Sequence, residues 1–368
     1  MFTTPLIAAP MAGGTTTTEL ALAAQDAGAF AFAAGGYKTA DQLAAHIAPL
    51  RSAGIDFGVN LFVPRTAPLT SVQLIELSEY RTKLRTTAGL YGAAVPEELL
   101  AEDDPRVQDY WAQKIALLLA DPVALVSFTF GLAPAEVVEQ LHNVGTQVLA
   151  SVTSVAEAVA AAKSGADALV VQHANAGGHS AAFLAATGTP PVAGAVEASG
   201  SGSSGNGSSG GRSSMKPATL PQLISEVRSE VLLPLVGAGG ISTPEDVKAV
   251  LAAGAESAAI GTALIRTNES GARLLHKNAL GDPSYTDTAI TRAFTGKPAR
   301  ALINDFVRDY TDAAPHAYPD VHFATAPLRA AAAAQNNPRA LNLWAGSGWK
   351  SARTGPAAAV IAGFLQFL

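Results

Sequence analysis

The 368-residue chain contains no cysteine, which excludes disulfides, thiolate nucleophiles, cysteine-ligated iron–sulfur clusters and cysteine zinc sites. That absence fits a cytoplasmic protein. Basic residues are in deficit: 24 Lys and Arg stand against 30 Asp and Glu, a formal charge of −6 that offers no footprint for nucleic acid or an anionic membrane. Long apolar runs are missing too. The most apolar helix candidate, Val155 to Ala162, contains Glu157 and is followed by Lys163, so nothing reaches the roughly 20 residues of a membrane span. The opening MFTTPLIAAPMAGG has no basic stretch followed by a long apolar one, and no secretory signal is expected. Metal ligation has no signature: His173 and His179 lie six apart without an adjacent carboxylate, and no HExxH occurs. There is no Walker A sequence. The GxSxG pattern occurs as GSSGG at 207 to 211, inside a Ser/Gly-rich stretch without the strand-to-helix elbow that exposes a nucleophile.

What is present is 48% hydrophobic, much of it alanine, in a repeating order of short strand and helix. Strands are predicted at Leu6–Ala9, Phe30–Ala33, Phe57–Val63, Val123–Phe128, Gln147–Ser151, Ala168–Val171, Leu233–Val236 and Ala258–Ile260, each followed by a helical segment. Eight such units predict a parallel (β/α)8 TIM barrel with its ligand site at the C-terminal ends of the strands. An open doubly wound sheet is the alternative, and it would need a crevice at one reversal of strand order. The predicted organisation is a barrel start at 1–63, an inserted helical cap at 64–122, the remaining barrel at 123–280 with a flexible Gly/Ser-rich loop at 199–214, and a C-terminal extension at 281–368 that wraps back to the site.

Chemistry is expected where the sixth strand ends, in DALVVQHANAGGHS at 167 to 180. Gln172 supplies an amide, Gly177 and Gly178 allow close backbone approach, and His179 carries a side chain that titrates near neutrality. A βα turn with a surface histidine reads equally well from these residues alone. Gly237-Ala238-Gly239-Gly240 follows the seventh strand and Gly261-Thr262 the eighth. In a closed barrel these ends are neighbours, and backbone N–H groups there form an anion pocket suited to a phosphate. The alternative is ordinary tight-turn glycine.

Together APMAGG at 9–14, VNLF at 59–62, SFTFG at 127–131, QHANAGGH at 172–179, GAGGI at 237–241, AIGTAL at 259–264 and WAGSG at 344–348 resemble the nitronate monooxygenases, once called 2-nitropropane dioxygenases. The resemblance runs nearly end to end. It implies an FMN-dependent oxidoreductase that converts alkyl nitronates, or nitroalkanes, and O₂ to a carbonyl compound and nitrite. It also implies that Pro10, Met11 and Ala12 line the flavin, that Asn60 and Gln172 hydrogen-bond it, and that Gly177, Gly178, Gly239, Gly240, Ala259, Ile260, Gly261 and Thr262 surround its phosphate end. Trp344, Ala345, Gly346 and Ser347 would close over it, and His179 would act as catalytic base or substrate-orienting group. A homodimer is compatible with the chain. Two departures stand out: the family's usual QGxEAGGH has His173 in place of glycine and Asn175 in place of glutamate. Rival functions are an NAD(P)H-dependent quinone or enoyl-thioester reductase on the same flavin barrel, and a non-catalytic barrel that binds a phosphorylated small molecule.

Overall fold

The computed structural model describes residues 2, 4–184 and 219–366. The Gly/Ser-rich stretch at 199–214 lies outside the described residues. Eight parallel strands close into a barrel: β1 (Leu6–Ala8), β2 (Phe30–Ala34), β3 (Phe57–Phe62), β4 (Leu125–Thr129), β5 (Gln147–Val152), β6 (Ala168–Gln172), β8 (Leu235–Ala238) and β9 (Ser257–Ile260). Closure comes from β1 pairing with β9, Leu6 opposite Ala258 and Ala8 opposite Ile260. The two-residue strand β7 (Gly178–His179) belongs to a separate antiparallel sheet with β10 (Thr288–Thr291) and β11 (Ala299–Leu302).

The strands read as continuous apolar runs because both faces are covered. Inward residues such as Ile7, Phe32, Leu149 and Val236 fill the barrel, while Leu6, Leu169, Leu235 and Ile260 face the outer helices. Each such leucine, fully buried, contributes roughly 1.5–3 kcal/mol. Helices α1 (Thr18–Asp26), α2 (Ala40–Ser52), α5 (Ala135–Asn143), α6 (Val155–Lys163), α7 (Leu220–Glu230) and α8 (Pro244–Ala252) form most of the outer ring. Thr17, Thr39, Ser154, Thr219 and Thr243 cap five of them by accepting from the third helical N–H.

Two helices depart from the expected plan. Helix α4 (Trp111–Ala120), placed by sequence in the inserted cap, packs in the outer ring between α2 and α5, with Ile115 and Leu118 in the barrel's own core. After β9 comes only a 3₁₀ turn, Thr262–Leu264, and the position between α8 and α1 is filled by the last helix, α12 (Ala357–Leu365). The eighth outer helix therefore arrives about a hundred residues late. Between them, α9 (Leu274–Ala279), α10 (Asp305–Tyr310) and α11 (Asp320–Ala334) share one hydrophobic core with α3 (Ser71–Leu90) of the insertion, including Leu77, Tyr80, Phe294, Phe306 and Leu328. Arg65 ties the two segments together, 2.6 Å from both Asp320 and Glu102. Insertion and C-terminal extension thus form one layer over the strand ends. Among the described residues no helix is long and apolar enough to cross a membrane.

Candidate active site

A cavity of about 530 Å³ opens at the C-terminal ends of the barrel strands, within the usual range for a small-molecule site. Its floor is the upper layer of barrel side chains, among them Ile7, Phe32, Leu149 and Val236. One rim is the loop after β1. Met11 N donates to Thr16 Oγ1 at 2.9 Å and Thr16 N returns to Met11 O at 3.0 Å, so Pro10, Met11 and Ala12 are held in a closed turn facing the cavity. On β3, Asn60 Nδ2 donates to Ser127 Oγ and Thr129 Oγ1, both at 2.9 Å. Those bonds use the amide's donor end, so a ligand here meets the Oδ1 acceptor.

The loop after β6 is braced from three sides. Gln172 Nε2 donates to His179 O at 3.1 Å and its Oε1 accepts from Ala181 N at 2.8 Å; a cofactor contact would draw on the remaining amide proton or lone pair. The buried Glu157 carboxylate accepts from Phe183 N and Leu184 N, at 2.7 and 2.9 Å. Lys297 Nζ donates to Ala182 O at 3.0 Å. The family departure at His173 has a local reason: its Nδ1 accepts from Asn175 N at 3.2 Å and its carbonyl from Ala176 N at 2.9 Å, closing the turn with the histidine itself.

Glycines at the three strand ends let loops touch as well as a ligand approach. A Cβ on Gly177 would fall 2.6 Å from Gly346 N, and one on Gly239, whose φ is +108°, 2.7 Å from His173 O. Through these contacts the C-terminal segment is latched to the barrel: Gly346 N donates to Thr262 Oγ1 and Ser347 N to Asn175 O, both at 3.0 Å. Gly178, Gly240, Ala259, Gly261 and Trp344 join Gly177, Gly239, Thr262 and Gly346 in lining the cavity. Three expected residues do not line it. Ile260 packs outward among the ring helices, Ala345 is buried in the core of the upper layer, and Ser347 is exposed. Ile260 follows Ala259 on the same strand and so points to the opposite side from it.

His179 is half-buried at the cavity wall, its ring 5.3 Å from Trp344 and 5.6 Å from Phe130. Pairing with β11 opposite Ala299 holds its backbone. Nε2 lies 2.9 Å from Thr295 Oγ1, which also donates to Lys297 O at 3.3 Å. The Thr295 hydroxyl thus fixes the ring's orientation through Nε2. Desolvation first, then the Lys297 and Arg329 charges, push the His179 pKa down to about 3, so the ring is neutral at pH 7.

Several cavity residues lie outside the quoted motifs, namely Tyr37, Arg273, His276, Thr295, His322 and Arg329, while Phe62 and Phe130 lie within VNLF and SFTFG without a role assigned to them from the sequence. Only the spacing of His322 and Arg329, seven apart on an alanine-rich helix and hence on one face, was a readable signal. Arg329 donates to neutral acceptors alone: His322 O at 3.0 Å, Thr325 Oγ1 at 3.1 Å and Asn342 Oδ1 at 3.4 Å. Burial lowers its pKa to about 10, and Arg273 adds like-charge repulsion. His276 donates Nε2–H to Trp344 O at 2.9 Å, and desolvation pushes its pKa down to about 4. No Asp or Glu lines the cavity among the described residues. Arg329 is half-buried and Arg273 exposed, so an anion entering the chamber would meet two guanidinium groups with no opposing carboxylate among the described lining residues.

A closed parallel barrel with a chamber at its strand ends, lined by Arg273 and Arg329, has the architecture of a barrel enzyme with a small-molecule site. The sequence profile described as nitronate monooxygenase matches residues 1–366, and the chain belongs to that family and is an oxidoreductase. A probable nitronate monooxygenase of Bacillus subtilis (strain 168) is 31% identical over 354 residues, 95% of this chain and 91% of the relative. One from Staphylococcus saprophyticus is 30% identical, covering 93% and 88%. The crystal structure of a nitroalkane oxidase from Streptomyces ansochromogenes superposes with a TM-score of 0.85 at 39% identity, over 99% of this chain and 95% of that one. FabK from Thermotoga maritima, with a TM-score of 0.67 at 21% identity, shares the fold.

Proposed function

We propose that this chain uses FMN to oxidise alkyl nitronates with O₂, releasing a carbonyl compound and nitrite. The residues present fit that cofactor. Backbone at Gly177, Gly178, Gly239, Gly240, Gly261 and Thr262 surrounds the side of the cavity where (β/α)8 barrels hold phosphate. Asn60 Oδ1 offers an acceptor over a flat apolar floor suited to a ring system. When bound, the flavin supplies the electron acceptor for an electron-rich carbon. The chain's own residues bind, orient and shield.

One observation carries the choice of substrate: a chamber lined by Arg273 and Arg329, without a carboxylate, beside a histidine held neutral. The arginines attract a preformed nitronate. His179, with a pKa near 3, is too weak a base to remove the α-proton of a neutral nitroalkane efficiently, because general bases work best with a pKa near the operating pH. Its uncharged ring instead forms part of the wall beside the bound substrate, and Trp344 and Phe130 pack around that ring and shield the reacting face. The test is aerobic turnover of propyl-2-nitronate by flavin-loaded protein, followed by nitrite. Nitrite release without bleaching of the flavin by NAD(P)H under anaerobic conditions supports the reading. Bleaching without nitrite assigns the chain to the reductases, and protein that takes up no FMN leaves only the binding barrel.

A further inference from the structure

Two residues of one wall of the chamber, Tyr37 and Phe130, have strained backbone, and so do two residues of the segment that holds Tyr37. Five described non-glycine residues have left-handed φ: Tyr37 at 64°, Asp109 at 48°, Tyr110 at 52°, Phe130 at 81° and Asn336 at 54°. The first four belong to a single assembly. Such conformations persist only where surrounding structure enforces them, and they cluster at sites with a task.

The assembly is centred on Tyr37, in the loop after β2. Its ring lines the cavity, stacks on His322 with centroids 4.5 Å apart and planes within 5°, and meets Phe62 edge-on at 5.4 Å. Phe62 in turn packs on Phe130 at 4.5 Å. The Tyr318 hydroxyl donates to Tyr37 Oη at 3.4 Å, which leaves the Tyr37 proton free for an acceptor in the chamber. Burial pushes the Tyr37 pKa up to about 12, so the phenol stays protonated.

What holds Tyr37 there comes from the segment leading into α4. Tyr37 N donates to Asp109 Oδ1 at 2.7 Å, across 72 residues of sequence, and Asp109 Oδ2 accepts from Lys114 Nζ at 2.8 Å. Both side chains of that ion pair are buried, Lys114 at 1% exposure. A buried pair of this kind adds little net stability, and its best-attested use is to fix a register.

Resting on the nitronate reading above, we infer that Tyr37 is a specificity-determining residue that bounds the carbon chain of the substrate, and that Asp109 is the positioning residue that sets it. Tyr37 and Arg329 adjoin through His322, whose ring stacks on Tyr37 and whose carbonyl accepts from Arg329, so the Tyr37 ring bounds the space next to the anionic group. Length and branching of the alkyl group are then limited by the Tyr37 ring, whose place depends on one acceptor atom.

Two double variants separate the acceptor from the charge. D109N/K114M keeps the Oδ1 acceptor and tolerates the left-handed φ, while D109G/K114M removes the acceptor without adding strain. Hydrogen exchange at the Tyr37 amide, with or without flavin, is expected to accelerate about tenfold or more in the glycine variant and to stay within about threefold of wild type in the asparagine variant. In parallel, the KM for heptyl-1-nitronate relative to that for ethyl nitronate should fall by about tenfold in the glycine variant and in Tyr37→Ala. Tyr37→Phe retains the wild-type ratio. Unchanged exchange in the glycine variant overturns the Asp109 link, and an unchanged KM ratio in Tyr37→Ala overturns the specificity role. Should wild type release nitrite from no nitronate, the functional reading fails, while the exchange arm still decides whether Asp109 holds Tyr37.

Discussion

Replacing Arg329 by methionine tests the anion chamber at the residue with most to lose. In the free protein the guanidinium sits beside the cavity with neutral partners only, repelled by Arg273, and desolvation holds its pKa near 10. Methionine fills similar volume and removes the uncompensated charge, so the free protein should melt at the same temperature or higher. With an anionic substrate bound, wild type gains a charge-assisted hydrogen bond that the variant lacks, about 2 kcal/mol. At 25 °C that is a loss of about 30-fold in kcat/KM for nitronates, whereas a neutral nitroalkane should change less than about threefold. Nitrite release under pseudo-first-order conditions gives both values, and differential scanning calorimetry gives the melting temperature. Equal losses on anionic and neutral substrates, or a fall in melting temperature of several degrees, would refute the reasoning.

His179→Asn should lower kcat on nitronates by about tenfold or less and on neutral nitroalkanes to a similar extent, because a ring with a pKa near 3 contributes little as a base; a loss on the neutral forms about 100-fold larger would contradict this. Steady-state rates on matched pairs measure the difference. Gly177→Ala forces a Cβ to 2.6 Å from Gly346 N, so the C-terminal latch must shift. A destabilisation of about 1–3 kcal/mol with weaker flavin retention is expected by chemical denaturation and flavin titration. Acid should also unfold the protein through its histidines. Burial pushes the pKa values of His46, His179 and His276 down to about 4, 3 and 4, and that of His322 well below its ordinary value. Their unfolded values lie near 6.5, so between about pH 6.5 and 4 the unfolded chain binds more protons and stability falls as pH falls, by up to about 1.4 kcal/mol per pH unit for each ring. Stability flat across pH 4–6.5 would contradict the buried neutral state of these rings.

The barrel was legible because its strands are short apolar runs punctuated by glycine, and the alternation with capped helices has few other solutions. Local signals could not reveal that α12 completes the ring, because its position depends on a return path through α9 to α11. The same limit applied to α4, whose apolar face reads alike whether it covers a barrel or builds a cap. In the site, glycines and His179 stood out as punctuation after strands. Tyr37, His322 and Arg329 did not, since they meet through tertiary contacts between β2, the upper layer and the cavity. Ile260, Ala345 and Ser347 lie outside the cavity lining, because a run of motif residues need not be a run of cavity-lining side chains.

The central claim is that a carboxylate-free, doubly cationic chamber beside a neutral imidazole selects a preformed anion. The most direct measurement is the ratio of kcat/KM for propyl-2-nitronate to that for neutral 2-nitropropane, by nitrite release at pH 7 before the two forms interconvert. A ratio of about 100 or more is predicted. Equal values for the two forms, or faster turnover of the neutral one, would contradict it.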